Sequence, residues 1–415
     1  MVSNHAYEQS LIFDSHMKAI QRFVAPITLA AAIPAITFCG LSLLPSAGTA
    51  GQDSRPAPRF TEAPARNAPA PIIQLALLLD TSNSMDGLID QAKGQLWKIV
   101  NEFISAKQNG QRPTLEVALF EYGKSTLPSK TGFIRLIQPL TNDLDKISEE
   151  LFALRTNGGE EFCGWVIQEA VGNLAWSTAP DAFKAIFIAG NEPFTQGPVS
   201  YVASCQAALA KGIIVNTIHC GSQSEGIATK WQDGAFLAEG KYMVIDQNRE
   251  VVHFTAPQDK DITALGEELN KTYVPFGVAA EVNQRRQVQQ DANSASLAAQ
   301  GSPVQRSVFK SSPQYRNESW DLVDASRASN FKLSEVPAKD LPVPMQKMNA
   351  EERQTYLNAK ATKREQLQKE IARLHAERVQ YAAEQSKKTG ATNTLDAVVI
   401  STIREQATKK NYRFE

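Results

Sequence analysis

Pro71-Ile72-Ile73-Gln74-Leu75-Ala76-Leu77-Leu78-Leu79-Asp80-Thr81-Ser82-Asn83-Ser84 is the stretch on which the fold turns. Its apolar run is almost continuous, the pattern of a strand buried on both faces of a parallel sheet. The run stops at a carboxylate, and two hydroxyls follow at alternate positions. Leu88, Ile89, Ala92, Leu96, Ile99, Val100 and Phe103 then recur every three or four residues, which predicts an amphipathic helix lying back on the strand. Strand, polar turn and returning helix make the opening unit of an α/β sheet. In such sheets ligands bind outside the carboxyl ends of the strands.

Downstream the alternation continues. Residues 115–122 and 133–137 read as strands joined through the turn-rich segment 123–132, and 144–154 as a helix. Residues 161–174 and 199–210 read as helices, and 185–189, 212–219 and 242–245 as strands. Helix 262–273 completes a unit spanning 71–277. The predicted fold class is α/β, a doubly wound, mostly parallel sheet flanked by helices, with a C-terminal α-helical segment. Residues 278–347 are rich in Gln, Ser, Ala and Arg and read as a partly helical connector. Residues 348–415 read as a helical segment in which Leu357, Leu367, Ile371, Leu374 and Tyr381 approach heptad spacing. Lys360, Arg364 and Arg378 fall on the same seam, which favours a short amphipathic helix over a long coiled coil. Thr394 is a candidate cap for a last helix that would fold back across Gly390.

Asp80, Ser82 and Ser84 offer one carboxylate and two hydroxyls, the oxygen donors a hard divalent cation prefers. The plainer reading is that they only cap the helix that follows. In its strand–motif–helix setting the segment resembles the von Willebrand factor type A domain, secreted or membrane-anchored as in bacterial proteins, whose metal-ion-dependent adhesion site begins with Asp-x-Ser-x-Ser. The resemblance covers 71–277, about half the chain. It implies a Mg²⁺, Mn²⁺ or Ca²⁺ site held by Asp80, Ser82 and Ser84, a Thr from a second loop and an Asp from a third, with a protein ligand completing the coordination. Here the second loop reads Thr156-Asn157-Gly158-Gly159-Glu160-Glu161, which puts Glu160 where the family has Thr and leaves Thr156 as an alternative. The third reads Ala189-Gly190-Asn191-Glu192-Pro193, which puts Gly190 at the Asp position with Asn191 the nearest oxygen donor. The site implied is therefore a variant one, with a carboxylate moved from the third loop to the second.

Lys18 and Arg22 precede an apolar run, residues 23–44, and Gly48-Thr49-Ala50 follows. This is a secretory signal cleaved after Ala50 or, since the run suffices to span a bilayer, a retained anchor. Either reading places the rest of the chain outside the cytoplasm, periplasmic, secreted or membrane-tethered. Residues 51–70 carry four prolines and form a linker. With 43 basic and 44 acidic side chains there is no global field for nucleic acid. Four cysteines exclude a disulfide-built scaffold. Among those past the signal, Cys163 and Cys220 are expected at the same rim of the sheet and are the candidate disulfide. Cys163, His219 and Cys220 lack zinc or nucleophile spacing, and no hydrolase elbow or phosphate loop occurs, so no enzymatic activity is expected. The leading function is protein binding through the metal rim. The alternative is a metal-free envelope scaffold whose C-terminal helices recruit partners.

Overall fold

The computed structural model describes residues 70–246, 253–389 and 395–414. The signal or anchor, the linker up to residue 69, Gly390 and Thr394 lie outside the described residues. Strand β1 (Ile72–Asp80) leads into α1 (Asp86–Asn101), then a short β2 (Ala106–Gln108), β3 (Thr114–Tyr122), β4 (Ile134–Thr141), α2 (Leu144–Ala153) and α3 (Cys163–Asn173). Next come β5 (Phe183–Gly190), α4 (Tyr201–Ala210), β6 (Ile214–Cys220), α5 (Gln223–Ala228), α6 (Trp231–Leu237), β7 (Tyr242–Ile245) and α7 (Asp259–Asn270). The chain continues through α8 (Ala280–Ser296), α9 (Ser302–Ser311), α10 (Leu322–Ala325), α11 (Val343–Gln346), α12 (Ala350–Thr389), α13 (Leu395–Thr408) and β8 (Tyr412–Phe414).

The main sheet has the order β4-β3-β1-β5-β6-β7, and all its neighbours are parallel except the antiparallel pair β3–β4. This is the doubly wound, mostly parallel sheet the alternation predicts. The chain builds to one side of β1 and then resumes with β5 on the other. Asp80, the last residue of β1, therefore sits at the topological switch point, where the loops diverge and leave a crevice.

Because β1 is covered on both faces, its side chains divide between two cores. Ile73, Leu75 and Leu79 face Leu88, Leu96, Trp97 and Val100 of α1, while Ala76 and Leu78 face Phe120, Val166, Ile167 and Ile186. These two cores, and a smaller one around Val274, Leu322, Met345 and Leu357, all lie within the single unit Arg66–Glu415.

The segment expected as a connector is built into that unit. Val304, Val308 and Phe309 of α9 join the first core, and the Phe309 ring stacks on Trp97 with centroids 5.2 Å apart. Its remaining inward positions are polar, which is why no apolar period announces them. Arg306 pairs with Asp145 and Asp291 and lies 4.5 Å over the Trp97 ring, while the Lys310 ammonium is 2.6 Å from Asp291. The C-terminal helices are also spent on the domain. Leu357, Leu367, Ile371 and Leu374 of α12 are buried, and Val399 and Ile403 of α13 enter the first core. The chain ends with β8 paired to β2 and the Tyr412 hydroxyl donating to the carbonyl of Ile72 (2.9 Å). Among the described residues no helix is long and apolar enough to cross a membrane.

Candidate functional site

Asp80 is fully buried at the end of β1. Its Oδ1 accepts the backbone N–H of Ser82 at 2.7 Å, a turn that aims the residues after the strand back over its end. Oδ2 is buried and has no hydrogen-bond partner. The Ser82 and Ser84 hydroxyls are 3.1 Å apart, and Ser84 Oγ donates to Asn191 Oδ1 at 3.4 Å. Four of the residues singled out in the sequence, Asp80, Ser82, Ser84 and Asn191, are thus brought together across the ends of β1 and β5.

The second loop supplies a different residue from the one expected. Asn157 N–H donates to the carbonyl of Thr81 (2.9 Å), and the carbonyl of Gly158 accepts from Ser125 N–H (2.6 Å), so the loop runs extended along the ends of β1 and β3. In an extended segment alternate side chains face opposite ways. Gly159 packs against the Gly123 backbone, Glu160 points into solvent, and Glu161 is buried against Gly123. Glu161, one residue on, is therefore the second carboxylate at the site. The adjacent glutamates were the available signal, and the extended backbone decides between them. Thr156 is held elsewhere, its hydroxyl donating to Asp86 Oδ1.

The two carboxyls strain each other electrostatically. Burial first, then repulsion from Glu192, pushes Asp80 from its ordinary 3.8 up to about 7, against the lowering effect of the Ser82 bonds and of the nearby Asn191 N–H, which is too poorly placed to make a full hydrogen bond to Oδ2. Burial first, then repulsion from Asp80 and Glu192, pushes Glu161 up to about 8, with Ser82 again offsetting in part. An unpartnered buried oxygen beside a second buried carboxyl, with two hydroxyls at hand, is a donor set suited to a hard cation. Among the described residues no group of three His, Cys, Asp or Glu side chains converges as a metal cluster, so any cation at this rim would need serine and solvent oxygens for the rest of its shell.

Glycines make the room. Gly190, at the position where the resemblance expects Asp, lies so close that a Cβ there would come 2.6 Å from the Tyr122 hydroxyl and 3.0 Å from Asp80 Oδ2. The Tyr122 hydroxyl, donating to the carbonyl of Ala189 (2.9 Å), takes up the space a third-loop carboxylate would need. Gly123 has φ +81°, and a Cβ on it would fall 2.7 Å from both Asp80 Oδ1 and Glu161 Cγ. Gly123→Ala is expected to cost about 2–3 kcal/mol, from left-handed backbone strain plus overlap with the two carboxyls. Urea denaturation monitored by circular dichroism measures it.

The expected Cys163–Cys220 bridge does not form, and all three described cysteines are buried free thiols. The sheet is the reason. Cys220 faces the core beneath α1, whereas Cys163 and Cys205 face the opposite core. Burial pushes the Cys163 and Cys220 thiols far up, so neither is a ready nucleophile. His219 is buried beside Trp231, with ring centroids 5.6 Å apart, and burial lowers its pKa.

No family model matches the chain, and no curated protein does. Solved structures do match. The conserved hypothetical protein BatB from Bacteroides thetaiotaomicron is 17% identical with a TM-score of 0.32, over 42% of this chain and 90% of that one. The SpRpn10 VWA domain is 16% identical with a TM-score of 0.34, over 43% of this chain and 90% of that one. Proximal thread matrix protein 1 from the mussel byssus, solved with a zinc-occupied MIDAS motif, is 12% identical with a TM-score of 0.32, over 43% of each chain. At these levels of likeness no binding property transfers to this chain.

Proposed function

We propose that the chain is an extracytoplasmic protein-binding module of the adhesion type, and that Asp80, Ser82, Ser84 and Glu161 hold a divalent cation, Mg²⁺ or Mn²⁺, at the switch point of the sheet. The observation that carries this is the buried, unpartnered Asp80 Oδ2 beside the buried Glu161 carboxyl. Bound there, the cation would supply a Lewis-acidic centre with a coordination position open to a carboxylate of the partner. The residues themselves orient that centre. Ser82 N–H fixes the Asp80 rotamer, the Ser82 and Ser84 hydroxyls lie side by side, and Asn191 steadies Ser84 from the third loop. Thr156 and Glu160 have no direct part in this set.

The metal-free scaffold, in which the C-terminal helices recruit partners, draws less support, because Leu357, Leu367, Ile371 and Leu374 of α12 and Val399 and Ile403 of α13 are already used on the domain itself. Circular dichroism melts of the EDTA-treated protein test the metal. Added Mg²⁺ or Mn²⁺ is expected to raise the melting temperature by several degrees, since ligands that bind only the folded state stabilise it. Indistinguishable melts would sink the metal site. Crosslinking pull-downs from the envelope fraction, with and without EDTA, test whether partner capture depends on it.

A further inference from the structure

The near-zero net charge of the chain conceals a polarised molecule. Strands β1, β3, β5 and β6 are mutually parallel, so their carboxyl ends share one edge of the sheet and their amino ends the other, about 30 Å away for a nine-residue strand. The carboxyl edge carries Asp80, Glu160, Glu161 and Glu192. The amino edge is basic. Arg112 lies just before β3, Lys184 near the start of β5, Lys211 just before β6, Lys410 just before β8 and Arg413 within it, with the acidic Asp181 among them just before β5.

Contacts join these residues into one surface. Gln108 Nε2 donates to the carbonyls of both Asp181 and Lys410, and Lys410 Nζ donates to the carbonyl of Pro180 (3.2 Å). Lys184 Nζ donates to the carbonyls of Ser177 and Lys211, and Lys211 Nζ to that of Val171. Those acceptors are neutral. Among the described residues none of Arg112, Lys184, Lys211, Lys410 and Arg413 is paired with a carboxylate, and Glu405 close by is engaged with Lys241 and Lys409.

The polypeptide enters the unit at this same edge. The carbonyl of Pro71 accepts from Thr114 N–H (2.8 Å), and upstream the sequence runs through residues 45–69 to the apolar stretch 23–44. We propose that the amino edge of the sheet docks on anionic phospholipid headgroups of the membrane that residues 23–44 address. The domain would then stand with its acidic, site-bearing edge turned away from the bilayer. Phosphodiester headgroups satisfy ammonium and guanidinium groups that carbonyls leave charged. At the surface itself each Lys or Arg adds about fivefold to membrane affinity, a gain that fades within about 10 Å at physiological salt.

The test is cosedimentation of residues 51–415, which retain all three cores, with vesicles of phosphatidylcholine alone or with 30% phosphatidylglycerol. Binding is expected on the anionic vesicles at low salt, at least about tenfold weaker on neutral ones, and abolished at 0.5 M NaCl. Arg112→Ala with Arg413→Ala, both at exposed positions, is expected to weaken binding about 25-fold with an unchanged thermal melt. Equal binding to neutral vesicles, or unaltered binding by the double variant, overturns the proposal. So does tighter binding to duplex DNA than to vesicles, which would make the edge a nucleic-acid surface.

Discussion

Asp80→Asn is expected to weaken Mg²⁺ or Mn²⁺ binding at least about a hundredfold and, in the same protein, to raise the melting temperature of the metal-free form by about 2–5 °C. The two effects have one cause. Asp80 is fully buried, its Oδ2 has no partner, and Glu161 and Glu192 repel it, so without a cation the charge is a standing cost to the fold. Asn keeps the Oδ1 acceptor for Ser82 N–H and hence the turn, while removing the charge on which cation binding rests. Losing partners around a metal already costs 10–100-fold, so losing a direct carboxylate sets the lower bound. Titration calorimetry gives the affinity, and scanning calorimetry in EDTA gives the melting temperature. An affinity within threefold of the parent would remove Asp80 from the site. A lower metal-free melting temperature would mean that the carboxylate is a structural cap rather than a cation ligand. Glu160→Gln, on the solvent side of the same loop, is expected to change neither.

What the sequence discloses and what it hides divide along physical lines. The strand 72–80 is legible because burial on both faces demands apolar residues at every position, and the motif after it is legible because a strand end in such a sheet is where a polar turn has work to do. The inward set of the second loop is not legible. Whether Glu160 or Glu161 reaches Asp80 depends on the hydrogen bonds of Asn157 and Gly158, which no local pattern announces. Helix α9 is hidden for another reason. It buries Arg306 and Lys310 among carboxylates, so its core face reads as a surface. The cysteines mislead because a rim position specifies height along a strand but not the face, and the face separates Cys163 from Cys220. In α12 the seam charges dock the helix, Arg364 on Asp321 and Asp324 and Arg378 on Asp259, but the helix runs 40 residues and is not the short one expected.

Arg364→Ala is expected to cost about 3–5 kcal/mol, a loss at the top of the range for breaking a buried ion pair. Arg364 is buried on α12, and its Nη1 reaches Asp321 Oδ2 at 2.6 Å and Asp324 Oδ1 at 2.9 Å. Nε donates to Thr272 Oγ1 (3.0 Å), Nη2 to the carbonyl of Thr272 (2.9 Å), and the guanidinium lies 4.1 Å over the Tyr273 ring. The two aspartates cannot move away, since Asp321 Oδ1 accepts Val274 N–H (2.6 Å) and Asp324 Oδ2 accepts Asn317 N–H (3.0 Å). Burial and Asp321 push the Asp324 carboxyl up, and Arg364 leads the groups that oppose this, ahead of the Asn317 N–H and the exposed Arg327 at 3.7 Å. Removing the cation leaves two buried carboxylates facing each other, a larger penalty than the lost hydrogen bonds alone. Arg364→Lys should recover only part, because a single ammonium cannot meet four acceptors and the ring face together. Urea denaturation is expected to show one transition moved to lower urea. If α12 were instead a loosely attached arm, that transition would stay in place and only the amides of residues 350–389 would exchange faster. Arg364→Met combined with Asp321→Asn and Asp324→Asn separates charge from packing, since it removes all three charges and keeps the acceptors for Val274 and Asn317. Stability near that of the parent would assign the cost of Arg364→Ala to the stranded carboxylates, and a loss as large as that of Arg364→Ala would assign it to the guanidinium's packing on Tyr273.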